Sequence, residues 1–533
     1  MPQSLCRRTF HVCTLAVLIA ASLAPSAIFA QKAAAKPVAP RPTASATEAR
    51  AAKAFDDARK QGSPALRAFL YRMPKGADLH SHLSGAIYAE TWIRDAGEDG
   101  LCVNPKTLSF VPPEKGKHSL CKDGLIDAAA VPQNQELYDD LIDAFSMRTF
   151  IPRTADSGHD HFFATFGQFG GTSKSHKGEW LDEVAARAAA QNEQYLELMD
   201  TPDFKDAAAL AAKIGYNPDF VKFRQQLLDA GIKDSVPAIR ANLDQAEADQ
   251  RRIEGCGQAG EQPACKVKVR YLYQILRGLP PEVVFAQVVL AFETASADPR
   301  FVGLNFVQPE DGYISMRDYR VQMQMLDAIH GFYPGVHISL HAGELAPGMV
   351  PPDGLTFHIR LAVEQGEAER IGHGVDIMYE ENPYELLKEM AAKHVMVEVN
   401  LTSNDVILNI KGEDHPFEIY RKYGVPVALS TDDEGVSRID LTHEYERAAL
   451  TYPLTYRDLK KMARTSIEHS FLPGGSLWQQ SVPETLDKPV EACAAQMGQE
   501  TPAGACGEFI SGSEKAQQQW ELEHRFHTFE ASF

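Results

Sequence analysis

Eight short apolar or β-branched runs recur along the chain, and the longer stretches between them carry apolar residues at helical spacing. The runs fall at residues 76–82, 195–199, 267–276, 301–306, 336–340, 369–372, 395–399 and 426–430, with helical stretches such as 182–194, 321–329 and 384–394 between them. Strands alternating with helices pair in parallel, because a parallel neighbour is reached only through a crossover. The economical closure of eight such units is an α/β fold of the TIM, or (β/α)8, barrel type, and the rhythm alone leaves a doubly wound open sheet as the alternative. At 533 residues, 44% hydrophobic and 23% charged, the chain has material for one large barrel with insertions or for two to four average domains.

Residues 1–30 read as a targeting segment. Arg7 and Arg8 precede an apolar run that is short for a spanning helix, and the small residues around Ala27 and Ala30 suit a signal peptidase. Arg7-Arg8-Thr9-Phe10 is also similar to a twin-arginine signal, so ordinary secretion and twin-arginine export both stay open. Residues 31–50, rich in Ala and Pro, read as a tether, 51–73 as a helix leading into the first strand, and 74–533 as the barrel, with an insertion at about 97–133. The expected location is periplasmic or extracellular, with no membrane attachment once the signal is gone. A formal net charge of −19 argues against general nucleic-acid binding, whose electrostatic footprint is basic.

Export also governs the cysteines. Cys102, Cys121, Cys256, Cys265, Cys493 and Cys506 remain after the signal, in three close pairs, and local pairing is the economical choice among fifteen connectivities. No CxxC spacing points to a zinc ribbon. The GxGxxG match at 255–260 lies in a loop between two cysteines, so it is not expected to bind a dinucleotide. The formal sequon Asn400-Leu401-Thr402 falls at a strand end and is set aside.

Reactive groups of a barrel gather at the carboxyl ends of its strands. The first run ends His80-Ser81-His82, whose two imidazoles share one face of a strand and can chelate one ion. The fifth runs into His341-Ala342-Gly343-Glu344, the sixth into His373-Gly374 and the eighth into Ser430-Thr431-Asp432-Asp433. Each has a bland reading alone: an HxH arises by chance, His373 could be a satisfied core histidine, and Asp432-Asp433 could be a turn. Their joint placement on one rim points to a metal site. A His-rich, thiolate-free set suits zinc, with an open position for water.

Met73 to Gly85, His341-Ala342-Gly343-Glu344, Arg370-Ile371-Gly372-His373-Gly374 and Ser430-Thr431-Asp432-Asp433 resemble the ordered signatures of the adenosine deaminase family. Ser403-Asn404 and Glu310 also fit, and the resemblance runs from about residue 73 to 446. The signal and the extra cysteines are similar to those of secreted adenosine deaminase-related growth factors. The resemblance implies one zinc per chain on His80, His82, His341 and Asp432. It implies that Glu344 donates a proton to purine N1, that His373 orients or deprotonates the attacking water, and that Asp433 holds N7. Ser84, Gln308 and Glu310 are expected beside the substrate, and three positions depart from the family pattern. Gln308 stands where a glycine backbone meets purine N3, Ser84 where an aspartate meets the sugar, and Glu434 where a proline follows the aspartates. The run 301–306 has no lysine, which favours one metal over two.

The expected protein is therefore an exported zinc-dependent aminohydrolase whose partner is a small-molecule purine nucleoside, adenosine or 2′-deoxyadenosine, converted to the inosine form with release of ammonia. Two rivals remain: the same chemistry on another 6-aminopurine compound, N6-substituted or a nucleotide, and a non-catalytic extracellular binding or signalling protein.

Overall fold

The computed structural model describes residues 46–112, 121–122, 124–152, 157–172, 174–480 and 486–533. The signal and nearly all of the tether lie outside the described residues. The tether's last five residues do not: helix begins at Ala46. The leading helix is in fact two, Ala46–Gln61 and Ser63–Arg72. Gly62 parts them at φ 102°, a conformation glycine takes without strain, and Pro64 suits the first turn of the second helix.

Eight parallel strands follow in sequential order: β1 Gly76–His82, β2 Glu193–Asp200, β3 Lys268–Leu276, β4 Phe301–Val307, β5 His337–Ala342, β6 Arg370–His373, β7 Met396–Val399 and β8 Val427–Leu429. An isolated parallel bridge between Ser81 and Asp432 closes the ring, with His82 N donating to Asp432 O at 3.2 Å and Asp432 N to His80 O at 2.9 Å. Sequential order and closure exclude the doubly wound sheet. β1, β2 and β4 are buried at every position, as expected of strands with side-chain layers inside and helices outside.

The helix expected over 182–194 runs Lys177–Ala190, burying Trp180, Leu181, Val184 and Ala188 at helical spacing; Gln191 and Asn192 then turn the chain into β2. The insertion begins after helix Ala89–Glu98. It forms a small antiparallel sheet of Cys102–Asn104, Ser109–Val111 and Ile126–Asp127, fastened by Cys102–Cys121. The other disulfides, Cys256–Cys265 and Cys493–Cys506, are also local. Gly255 caps helix Val236–Glu254 at φ 66°, so the GxGxxG match joins no strand to a helix. Helix Glu514–Ala531 packs back on the barrel through Arg464–Glu523 and Lys460–Glu530 ion pairs, beside a second small core around Trp478, Cys493, Cys506 and Trp520.

Candidate active site

The carboxyl ends of β1, β5, β6 and β8 bring His80, His82, His341, His373 and Asp432 together, all buried. His80, His341, His373 and Asp432 each offer a ligand atom within 4.8 Å of the others. His82 Nε2 lies 3.3 Å from His341 Nε2 and 3.2 Å from Asp432 Oδ1.

Hydrogen bonds to the far ring nitrogens distinguish the four histidines. Glu398 on β7 accepts from His80 Nδ1 at 2.6 Å, Gln274 on β3 from His82 Nδ1 at 2.7 Å, and Asn305 on β4 from His341 Nδ1 at 2.9 Å. Both amides are oriented by what their NH2 groups reach: Gln274 donates to Thr201 Oγ1 at 2.8 Å and Asn305 to Ser339 Oγ at 3.2 Å. With Nδ1 protonated, each of these three rings turns an Nε2 lone pair into the cluster. His373 is wired the other way. Phe417 N donates to His415 Nδ1 at 3.1 Å, so His415 Nε2 carries the proton it gives to Asn404 Oδ1 at 3.0 Å. Asn404 Nδ2 then donates to His373 Nδ1 at 2.8 Å, leaving the His373 proton on Nε2, 3.9 Å from Asp432 Oδ2. Three imidazoles are thus poised as ligands and the fourth as a hydrogen-bond donor.

The donor set fits a zinc-sized cation. His80 Nε2 is buried with no hydrogen-bond partner among the described residues. Burial opposes a charge on His80, yet Asp432 and Glu398 push its pKa up to about 10, a measure of how strongly the position attracts positive charge. Ser403 Oγ donates to Asp432 Oδ2 at 2.6 Å and fixes that carboxylate. His373, Asp432 and Gln308 adopt φ of 71°, 61° and 88°, and strained backbone of this kind concentrates at functional sites.

Glu344 stands beside the cluster, its Oε1 3.6 Å from His373 Nδ1. Burial, reinforced by the Asp432 and Glu310 carboxylates, holds its pKa well above the usual carboxylate range and so favours its protonated form. Burial likewise pushes Asp433 up to about 7, and its Oδ1 has no partner among the described residues. Both line a cavity of about 310 Å³ with His82, Ser84, Gln308 and Asp432.

Of the two positions expected beside the substrate after β4, one lines the cavity and the other lies behind it. Glu310 does not line the cavity: it accepts from Gly343 N at 3.0 Å, Glu344 N at 2.8 Å and His358 Nδ1 at 2.5 Å, and so shapes the turn that presents Glu344. His358 outweighs burial and brings Glu310 down to about 2, keeping it ionised as an acceptor. Gln308 lines the cavity, but its side-chain Oε1 is occupied by Gly278 N at 2.8 Å, and its positive φ keeps the backbone glycine-like. Glu434, where a proline was expected from the family pattern, pairs with Arg187 at 2.7 Å and ties the β8 loop to helix Lys177–Ala190. Asn400 of the formal sequon is buried beneath His373.

Several site residues were not legible in advance. Phe162, Phe163 and Phe166 of helix Gly158–Gln168 form an aromatic wall of the cavity. This helix sits so tightly on Leu401–Leu408 that a Cβ on Gly158 would lie 1.9 Å from Val406 O. Glu398 and Asn305 were also missed; a lone carboxylate or amide in an otherwise apolar buried strand is the signal that could have found them.

A histidine and carboxylate cluster of this wiring, at the carboxyl mouth of a (β/α)8 barrel, is a ligand set that could hold a metal ion for hydrolysis. A sequence profile described as adenosine deaminase matches residues 182–477, and the chain belongs to the adenosine deaminase family. That match begins after β1, so His80 and His82 are placed by the fold. The adenosine deaminase of Clostridium perfringens (strain 13 / Type A) is 39% identical over 141 residues, 26% of this chain and 38% of that protein. The chain thus spans well under half of that relative's length at this similarity. The adenosine deaminase of Vibrio atlanticus is 23% identical over 410 residues, 75% of this chain and 94% of the relative. In structure, the Arabidopsis N6-mAMP deaminase aligns with a TM-score of 0.50 at 21% identity, covering 76% of this chain and 95% of that one. An amidohydrolase from Burkhoderia ambifaria with bound Zn aligns with a TM-score of 0.50 at 18% identity, covering 76% and 88%. Both alignments show the shared barrel fold.

Proposed function

We propose that the chain is a zinc-dependent aminohydrolase that deaminates adenosine and 2′-deoxyadenosine to inosine and 2′-deoxyinosine, with one zinc held by His80, His82, His341 and Asp432. Bound there, zinc would supply Lewis-acid activation of water for attack on C6. The observation that carries the reading is the buried Glu344 lining the cavity 3.6 Å from His373, where burial and neighbouring carboxylates raise its pKa and favour a carboxyl acid able to donate to a purine ring nitrogen. Attack at C6 costs ring conjugation, and a proton placed on N1 by Glu344 offsets that loss. The His373 Nε2–H orients the attacking water, and Asp433 Oδ1 meets N7. The C6–N bond then breaks: one proton of the water leaves with the amine as ammonia, the other restores Glu344, and the oxygen stays on C6.

Among the described residues, the cavity lining includes the carboxyl groups of Glu344, Asp432 and Asp433 and neither Lys nor Arg. A phosphate dianion would meet these carboxyl groups and no basic side chain of the lining, which supports a nucleoside over a nucleotide, although the N6-mAMP deaminase shares the fold. Three local disulfides support export to an oxidising compartment, either periplasmic or extracellular. The test is ammonia release by the purified chain from adenosine, 2′-deoxyadenosine, N6-methyladenosine and adenosine 5′-monophosphate. The two unmodified nucleosides should be turned over fastest, and release from none of the four would overturn the reading.

A further inference from the structure

The hydrogen bonds that set His373 begin outside the cavity, at a residue the strand rhythm did not mark. His415 follows the turn Gly412–Asp414 and is buried. Burial, with Arg447 adding to it, lowers its pKa to about 3, so the ring is neutral and has one proton to place. A backbone amide decides where. Phe417 N opens helix Phe417–Tyr423, finds no acceptor within that helix, and donates to His415 Nδ1 at 3.1 Å. A backbone N–H only donates, so His415 keeps its proton on Nε2 and gives it to Asn404 Oδ1 at 3.0 Å.

That bond orients Asn404. A primary amide can turn over, exchanging its oxygen for its NH2 with almost no change of shape. With Oδ1 committed to His415, Nδ2 faces His373 Nδ1 at 2.8 Å. Asn400 Nδ2 lies 3.5 Å from both ring nitrogens of His373 and favours neither. The helix that carries Asn404, Leu401–Leu408, is fastened to helix Leu441–Thr451: Thr402 N donates to Glu444 at 3.2 Å, and Arg447 pairs with Asp405 at 2.5 Å. Turning over is the freedom left to the amide, and His415 removes it.

The role of His373 depends on that orientation. It offers a ligand atom within 4.8 Å of those of His80, His341 and Asp432, and its Nε2 faces Asp432 at 3.9 Å. With the amide turned over, Asn404 Oδ1 would take a proton from His373 Nδ1 and leave a lone pair on Nε2, which a cation in the cluster would draw to itself. His373 would then compete as a ligand and have no proton with which to orient water.

We propose that His415 is a positioning residue of the reaction: by holding the Asn404 amide in one orientation it fixes the His373 proton on Nε2 and keeps that imidazole out of the ligand set. The effect on turnover rests on the deamination proposed above, whereas the tautomer rests on the hydrogen bonds alone.

Imidazole 15N spectra of the zinc-loaded full chain, labelled at histidine, read the tautomer directly, with His373 assigned by its loss in His373→Asn. The native ring should be protonated on Nε2 and not on Nδ1; a proton on Nδ1 overturns the proposal. His415→Phe keeps a ring of similar size and removes the lock. Its His373 proton should move to Nδ1 and kcat should fall about tenfold or more, with KM within about threefold and zinc content unchanged, since a histidine in the wrong tautomer loses its catalytic role. His415→Gln, whose amide can accept from Phe417 N and donate to Asn404, should stay within about threefold of the native kcat. Native kcat in His415→Phe, or equal impairment in His415→Gln, overturns the role. Should His415→Phe fail to fold, Asn404→Asp replaces the NH2 by an acceptor and should place a proton on His373 Nδ1; a bare Nδ1 there overturns the wiring. A native chain that releases no ammonia overturns the effect on turnover together with the deamination, and the spectra then decide the wiring by themselves.

Discussion

Gly85 and Asp433 face each other so closely that a methyl group on the Gly85 α-carbon would lie 1.5 Å from Asp433 Oδ1. The glycine, carried on the loop after β1, leaves the space in which the β8 carboxyl group stands at the cavity, one of its oxygens without a partner among the described residues. The methyl would also lie 2.7 Å from Asp433 Cβ, so turning the carboxyl group does not relieve Gly85→Ala and the loop backbone must shift as well. The variant should melt below the native chain, and in its folded form kcat/KM should fall about tenfold to a hundredfold, the loss of one hydrogen bond to a charged group. Equal activity in Gly85→Ala would remove Asp433 from substrate contact.

Glu344→Gln retains shape and burial but removes the donated proton. Turnover should fall at least ~10²-fold with metal content unchanged, measured by steady-state kinetics beside elemental analysis. Near-native turnover would contradict the assigned role.

Elemental analysis of the purified chain should find about one zinc per chain. Chelation should abolish activity and lower the melting temperature, because an ion bound only by the folded state stabilises it by mass action. Two metals per chain, or full activity after exhaustive chelation, would count against the site as described.

Glu398 is expected to act through His80. Glu398→Gln keeps the side chain's size but weakens the orientation of the imidazole and leaves Arg370 with Glu197 alone, at 2.7 Å. Zinc affinity should drop about 10- to 100-fold, as for other groups that orient metal-binding histidines. Competition with a chromophoric chelator measures it. Unchanged affinity would show that His80 needs no such support.

The pH dependence of stability has a separate, testable source. Burial, only partly offset by the Thr402 hydroxyl and Arg447, pushes the Glu444 pKa up to about 7 from 4.5. A carboxyl group raised on folding favours the native state below its unfolded pKa, and that contribution disappears as pH rises through about 7. Glu444→Gln should therefore melt higher than the native chain at pH 8, by up to about 3 kcal/mol in stability, and show little gain at pH 4. Equal melting at both pH values would place the carboxylate in a better-solvated environment.

The eight strands, their order and the residues at their carboxyl ends were written in local sequence. Strand and helix periodicity are short-range properties, and a chelating His-x-His pair or an Asp-Asp step occupies two or three positions of one element. The local disulfides were readable for the same reason, since each closes a short stretch of chain. Tertiary structure alone decided which partner each functional group has. His80 meets Glu398 across 318 residues, His82 meets Gln274 across 192, and His373 takes its tautomer from Asn404 and His415 on other segments. Glu310, expected beside the substrate, is turned by folding under the Gly343–Glu344 backbone, and an aromatic helix from outside the strand rhythm forms the cavity wall. Periodicity fixes which way a residue points within its own element; what it then touches depends on barrel closure and register, and these follow from burial summed over the whole chain.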